Sequence, residues 1–137
     1  MESTSDIHDD VISKVNSIRI VSSEKFTEMG TTFQGHAVQL DDTTNYKSAL
    51  MQLYKDPVIA KATSNMWALK TSKYSARDDD GEYSGSFKIA EILNQNSAKN
   101  CMIIVSKWHG GMQQQQRFSC IDKALKDAVN IGQYIWY

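Results

Sequence analysis

Three observations predict a single α+β domain. Short runs rich in branched and aromatic residues crowd the first forty positions. Amphipathic stretches at helical spacing fill much of the remaining chain. One unbroken apolar run, Cys101 to Val105, sits between two of those stretches. At 137 residues the chain is long enough to bury a core without disulfides or metal.

Residues 1–16 are mostly polar, with Ile7, Val11 and Val15 at helical spacing, and read as a tail or short docking helix ahead of one domain over 17–137. Ile18 to Val21, Lys25 to Met29 and Thr31 to Leu40 are strand-like, and Met29-Gly30 is the turn between the last two. His36 shares a strand face with Gln34, Val38 and Leu40, which favours a partly buried strand histidine over a ligand or catalyst. Asp41, Asp42 and Thr43 are N-cap candidates for a helix presenting Tyr46, Ala49, Leu50, Leu53 and Tyr54. Pro57 interrupts that helix, and Val58 to Ala62 restarts as a short segment.

Met66 to Leu69 is strand-like, and the polar run Thr71 to Asp80 carries the chain to a second helix with Phe87, Ile89, Ala90, Ile92 and Leu93 on its apolar arc. Cys101 to Val105 fits a central strand. A third helix, following Gly110-Gly111 and the glutamines Gln113 to Gln116, places Phe118, Ile121, Leu125 and Ala128 on one stripe. The terminal IGQYIWY is apolar enough to dock back on the core. A strand, helix, strand crossover from Met66 to Val105 makes its two strands parallel if they share a sheet. The loops leading to Asp78 and Gly110 then leave from one rim.

Formal charge is -1, with 9 acids and 5 bases up to Asp56 and 7 acids and 10 bases beyond it. That asymmetry falls short of a nucleic-acid footprint. The opening MESTSDIHDD lacks an apolar run of signal-peptide length, and no later run is long enough to cross a membrane, so a cytoplasmic protein is expected. Cys101 and Cys120, each inside an apolar pattern, read as reduced core thiols.

Two motifs carry the chemistry: DDDGEYSG at Asp78 to Gly85 and VSKWHGG at Val105 to Gly111. Asp79, Asp80 and Glu82 lie where a helix start favours carboxylates, and they could also accept Arg or Lys from a partner protein. An EF-hand is excluded by register, since Gly81 as its glycine puts Ala76 at the first ligand position and Phe87 at the twelfth. Gly110 and Gly111 could cradle a phosphate between Lys107 and Arg117, though two glycines equally serve a tight strand-to-helix turn. Trp108 fits a core anchor or an interface hot spot. Neither cysteine has an activating neighbour in sequence, and His109 is the one histidine close to the motifs, so binding is expected rather than catalysis, with no cofactor and no metal.

The run Ile59 to Asn65, then DDDGEYSG, then VSKWHGG with Arg117-Phe118, in this order and spacing, resembles the ancient domain of the IMPACT family over about Phe26 to Val129. Ala62, Thr63 and Asn65 match the family's text, as do Asp79, Asp80, Gly81, Glu82 and Gly85, and Ser106, Trp108, Gly110 and Gly111. Ser64 stands in place of a histidine, and Lys107 and His109 in place of arginine and tyrosine. The resemblance implies an α+β two-layer sandwich with a four-stranded mixed sheet, helices on one face and a ββαβαβα-like order, resembling the fold shared by ribosomal proteins and elongation factor G domain IV.

It also implies a non-enzymatic interaction module linked to translation regulation under amino-acid starvation, binding monomeric actin or the activator of the kinase that phosphorylates initiation factor 2 alpha. Eukaryotic members usually carry an RWD domain ahead of this one, and the sequence reads as a single-domain member without it. A nucleic-acid or ribosome-associated module is the first alternative, and an enzyme on a phosphorylated small molecule the second. The expected binding rim comprises Asn65, Asp79, Asp80, Gly81, Glu82, Gly85, Lys107, Trp108, Gly110, Gly111 and Arg117.

Overall fold

The structure, a computed structural model, describes residues 18–40, 45–95, 100–110 and 114–136. The expectations for residues 1–16, for caps at Asp41, Asp42 and Thr43, and for Gly111, Gln113 and Tyr137 lie outside these residues, as do those for the side chains of Ile135 and Trp136.

Branched residues form three early strands, β1 (Ile20–Ser22), β2 (Phe26–Glu28) and β3 (Thr31–Gln39). Met29 and Gly30 both take positive φ, 51° and 79°, and close a two-residue hairpin in which Glu28 opposes Thr31. That double left-handed geometry matches the twist of the flanking strands. Next come α1 (Tyr46–Leu53), with Asn45 as its N-cap, and the short α2 (Pro57–Ala60), where Asp56 Oδ1 accepts from the amide of Val58 at 2.9 Å and Pro57 opens the helix.

The remaining elements are β4 (Ser64–Lys70), β5 (Ser75–Asp78), α3 (Gly85–Gln95), β6 (Cys101–Trp108) and α4 (Gln114–Trp136). The strands form a six-stranded sheet in the order β1-β3-β6-β4-β5, with β2 continuing the β1 edge along the other half of β3. Among the described residues every pairing is antiparallel.

Several expectations are thereby corrected. The sheet has six strands rather than four and antiparallel pairing rather than mixed, so the order is βββααββαβα. The polar run Thr71 to Asp80 contains β5, an edge strand whose side chains are mostly exposed and so carry no apolar alternation. Because β5 reverses the chain after β4, β4 and β6 are antiparallel, and it is β5 that runs in the direction of β6 across the intervening β4.

Helices cover both faces rather than one, as the pleat requires where consecutive side chains of a central strand, here Cys101 to Val105, are all apolar. Cys101, Ile103 and Val105 of β6 join Met66, Ala68, Ile89, Leu93, Ile121 and Leu125 beneath α3 and α4. Met102 and Ile104 join Trp67, Leu69, Ala49, Leu53 and Ile59 beneath α1 and α2. Phe87, expected on the buried arc of its helix, is exposed. On β3, Gly35 lets α4 lie close: a Cβ there would fall 2.8 Å from Ala128 Cβ and closer still to the Ala124 carbonyl oxygen.

Candidate functional site

The two motifs meet at one end of the sheet because β5 returns the chain to the start of β4. Asp78 pairs with Trp67, and Ser64 with Lys107, which brings the end of β5, the start of β4 and the end of β6 together. Lys107 and Trp108 belong to β6 itself and not to the turn after it, so their side chains project to opposite faces of the sheet.

On the face of α3 and α4, Glu82 is held between two cations. Lys107 Nζ donates to Glu82 Oε2 at 2.6 Å, and both side chains are about nine-tenths or more buried, at 7% and 6% exposure. Arg117 Nε stands 2.9 Å from Glu82 Oε1, an ion pair whose alignment falls short of a hydrogen bond. Three charges out of water persist only when paired. Glu82 therefore ties the first motif to the second and to the first turns of α4. Gly85 lets the start of α3 approach β4, since a Cβ there would lie 2.5 Å from Met66 Sδ.

The aspartates build the loop that carries Glu82. Asp79 Oδ1 accepts from the amide of Ser86 at 3.0 Å and from its hydroxyl at 2.5 Å, and Oδ2 accepts from the amide of Ser84 at 3.3 Å. These bonds, led by the Ser86 hydroxyl, hold the Asp79 carboxyl below the usual carboxylate range. Asp80 Oδ2 accepts from the amide of Asn65 at 2.7 Å, and the Asp80 carbonyl accepts from Ser64 Oγ at 2.9 Å. Asp80, Gly81 and Ser84 all take positive φ, so the loop is tightly wound and fastened on both sides.

Across the sheet lies a buried polar chain. Asn65 Nδ2 donates to the Ile59 carbonyl at 3.0 Å, which orients its amide so that Oδ1 accepts from Ser106 Oγ at 2.6 Å. With the Ser106 proton spent, His36 Nε2 donates to Ser106 Oγ at 2.8 Å, and His36 Nδ1 accepts from Ser22 Oγ at 2.7 Å. His36 is fully buried, and desolvation pushes its pKa from 6.5 down to about 4. Trp108 Nε1 donates to the Val58 carbonyl at 2.9 Å, and Lys25 Nζ sits 4.7 Å over its ring. The His109 amide donates to Thr63 Oγ1 at 2.9 Å, while the space beside Gly110 is open.

The structure thus joins Asp79, Asp80, Gly81, Glu82, Gly85, Lys107 and Arg117 on one side, with Asn65 reaching them through its backbone. Trp108 stands on the other side, and Gly111 lies outside the described residues. Sequence reasoning missed Ser64 and Ser86, single hydroxyls whose partners are sixteen and seven residues distant and which no spacing rule announces. Among the described residues no group of three or more His, Cys, Asp or Glu side chains could hold a metal ion, and no helix is long and apolar enough to cross a membrane. Burial pushes the thiols of Cys101 and Cys120 up to about 11, away from nucleophilic use.

Residues 29–129 match the family model described as the Impact N-terminal domain. A protein IMPACT homolog of Schizosaccharomyces pombe is 34% identical over 113 residues, covering 78% of this chain and 40% of the relative. Protein IMPACT-B of Xenopus tropicalis is 29% identical over 99 residues, covering 68% of this chain and 31% of the relative. The chain thus spans less than half the length of these curated relatives. Among solved structures, the two-domain translational regulator Yih1 shares the fold, with a TM-score of 0.50 and 24% identity over 82% of this chain and 46% of that one.

Proposed function

The chain belongs to the IMPACT family, and from that premise we propose that it is a protein-binding module acting in the regulation of translation. The observation that carries this reading is Glu82, locked between Lys107 and Arg117. A charge triad of that kind fixes the two loops of the rim in one relative position, which is what a recognition surface needs before a partner arrives. The groups with reactive potential point the same way. His36 is buried in a hydrogen-bonded chain, and both thiols are buried and protonated. The exposed side of the rim, with Asp80, Gly81 and Gly110, receives the partner.

Family resemblance names monomeric actin or the activator of the initiation factor 2 alpha kinase as partners, in the cytoplasm under amino-acid starvation. The test is a quantitative pull-down from cytosolic extract, with and without nuclease, comparing wild type with Asp80→Asn, Gly110→Glu. The asparagine keeps an acceptor for the Asn65 amide, and an added side chain at Gly110 meets no atom within 4 Å, so the variant folds. Loss of a nuclease-resistant protein in the variant is expected. Identical captures by the two proteins, or capture of ribosomal material that nuclease removes from both, would overturn the reading.

A further inference from the structure

The sequence holds one Asp-Gly pair, Asp80-Gly81, and no Asn-Gly pair. An aspartate followed by glycine is the pair in which the next amide nitrogen closes most readily on the side chain, because glycine puts no Cβ beside that nitrogen. Both residues are exposed, and a Cβ on Gly81 would meet nothing within 4 Å, so no neighbouring group covers the bond. We propose that Asp80-Gly81 is a self-modification site, which isomerises to isoaspartate through a succinimide, and that the turn containing it holds this reaction shut until the loop opens.

The step needs only water. The Gly81 amide nitrogen attacks Asp80 Cγ and forms a C–N bond, while one carboxylate oxygen leaves as water with the amide proton and a proton from solvent. Water then reopens the five-membered ring. Addition at the side-chain carbonyl restores Asp80, whereas addition at the main-chain carbonyl leaves Gly81 attached through Cγ and frees the former main-chain carbonyl as the carboxylate. Charge and mass are unchanged, and the backbone is one methylene longer.

Ring closure requires the Gly81 nitrogen to lie on the same side of the Asp80 Cα–C bond as Cβ. The turn puts it on the other side. Asp80 and Gly81 have φ of 46° and 81°, and the Glu82 amide donates to the Asp79 carbonyl at 2.9 Å. Two left-handed central residues closed by that bond make a primed turn, in which ψ of the first is roughly +30°. At that ψ the nitrogen points nearly opposite to Cβ, so a large backbone rotation must precede attack. Three further bonds oppose the rotation: the Asn65 amide on Asp80 Oδ2 at 2.7 Å, Ser64 Oγ on the Asp80 carbonyl at 2.9 Å, and the Asp80 amide on Asp78 Oδ1 at 3.1 Å. Asp79 fastens the rest of the loop through Ser84 and Ser86. The rate of isomerisation therefore reports how often the loop opens. Once it has occurred, the extra methylene breaks the turn that carries Glu82 to Lys107.

The test incubates the intact chain at neutral pH beside Asp79→Ala, Ser64→Ala and a synthetic peptide of residues 78–85. Isoaspartate at position 80 is measured by peptide mapping and by methyl transfer from an isoaspartate methyltransferase. The peptide, with no sheet to hold it, gives the unrestrained rate. The intact chain should react at least about tenfold more slowly, because a reacting pair held out of its attack geometry loses rate on that scale or more. Asp79→Ala, whose loop loses its ties to Ser84 and Ser86, should react faster than wild type while the β6 amides stay protected from hydrogen exchange, which shows that the domain remains folded. Ser64→Ala, the milder change, should move in the same direction. The proposal is overturned if the intact chain reacts as fast as the peptide, if neither variant reacts faster than wild type, or if isoaspartate forms in the peptide at no measurable rate.

Discussion

Removing the charge of Glu82 leaves the buried Lys107 ammonium and the largely buried Arg117 facing one another without a counter-ion. Glu82→Gln should therefore cost about 3 kcal/mol or more by urea denaturation, whereas Lys107→Met should cost less, because Arg117 still answers the carboxylate. His36 sets a different dependence. Its pKa is lowered to about 4 in the folded chain, so between pH 6.5 and about 4 the unfolded chain binds a proton that the folded one refuses. Its contribution is thus complete at neutral pH and is lost as pH falls through that window, on the order of 3 kcal/mol in all. His36→Gln should lose stability at pH 7 through the broken Ser22 and Ser106 bonds, yet show a shallower decline between pH 7 and pH 4.5. Urea midpoints of both proteins across that range check the sign. Neither role is legible in the sequence. A histidine on a strand and a glutamate near a glycine can be read there, but the partners of each lie on strands and helices far along the chain.

Helix α4 rests on β3 at Gly35, where the carbonyl of Ala124 and the methyl of Ala128 leave no room for a side chain. Gly35→Val should push the helix away and destabilise the protein by about 1 to 3 kcal/mol, seen as a lower melting temperature with an unchanged pattern of secondary structure. A valine suits β3 by propensity, so stabilisation there would show that the helix has room to yield. Elements with a clear apolar period are readable from the sequence. The stripe of Ile121, Leu125 and Ala128 on α4 and the run beginning at Cys101 on β6 are both buried. β5 is not readable, because an edge strand packs one partner and leaves most of its side chains in water, so Ser75 to Asp78 looks like loop. The burial of Lys107 is hidden for a related reason. A charged residue at a strand end reads as solvent-facing unless its counter-charge is known.

At the scale of the whole molecule, β6 is covered on both faces by separate apolar clusters and is bonded on both edges, to β3 and β4. The amides of Ile103 and Ile104 should exchange with solvent only when the entire domain opens, while those of Arg77 and Asp78 on the edge should exchange at least about a hundredfold faster by local opening. Comparable protection at the two places, in hydrogen exchange followed by mass spectrometry or NMR, would mean that β5 is part of the same cooperative core. The amino-acid sequence by itself determined an α+β domain, the positions of its strongly periodic elements, the order and spacing of two motifs, and through these the resemblance to a family. Those properties are local or add along the chain, so a linear text carries them. Only the tertiary structure decided that helices cover both faces, that β5 reverses the chain and brings the motifs together, and that Asp79, Asp80 and Glu82 are spent largely on building the loop. Each of these depends on which distant group satisfies a buried charge or an unpaired amide, and the chain settles that only by folding.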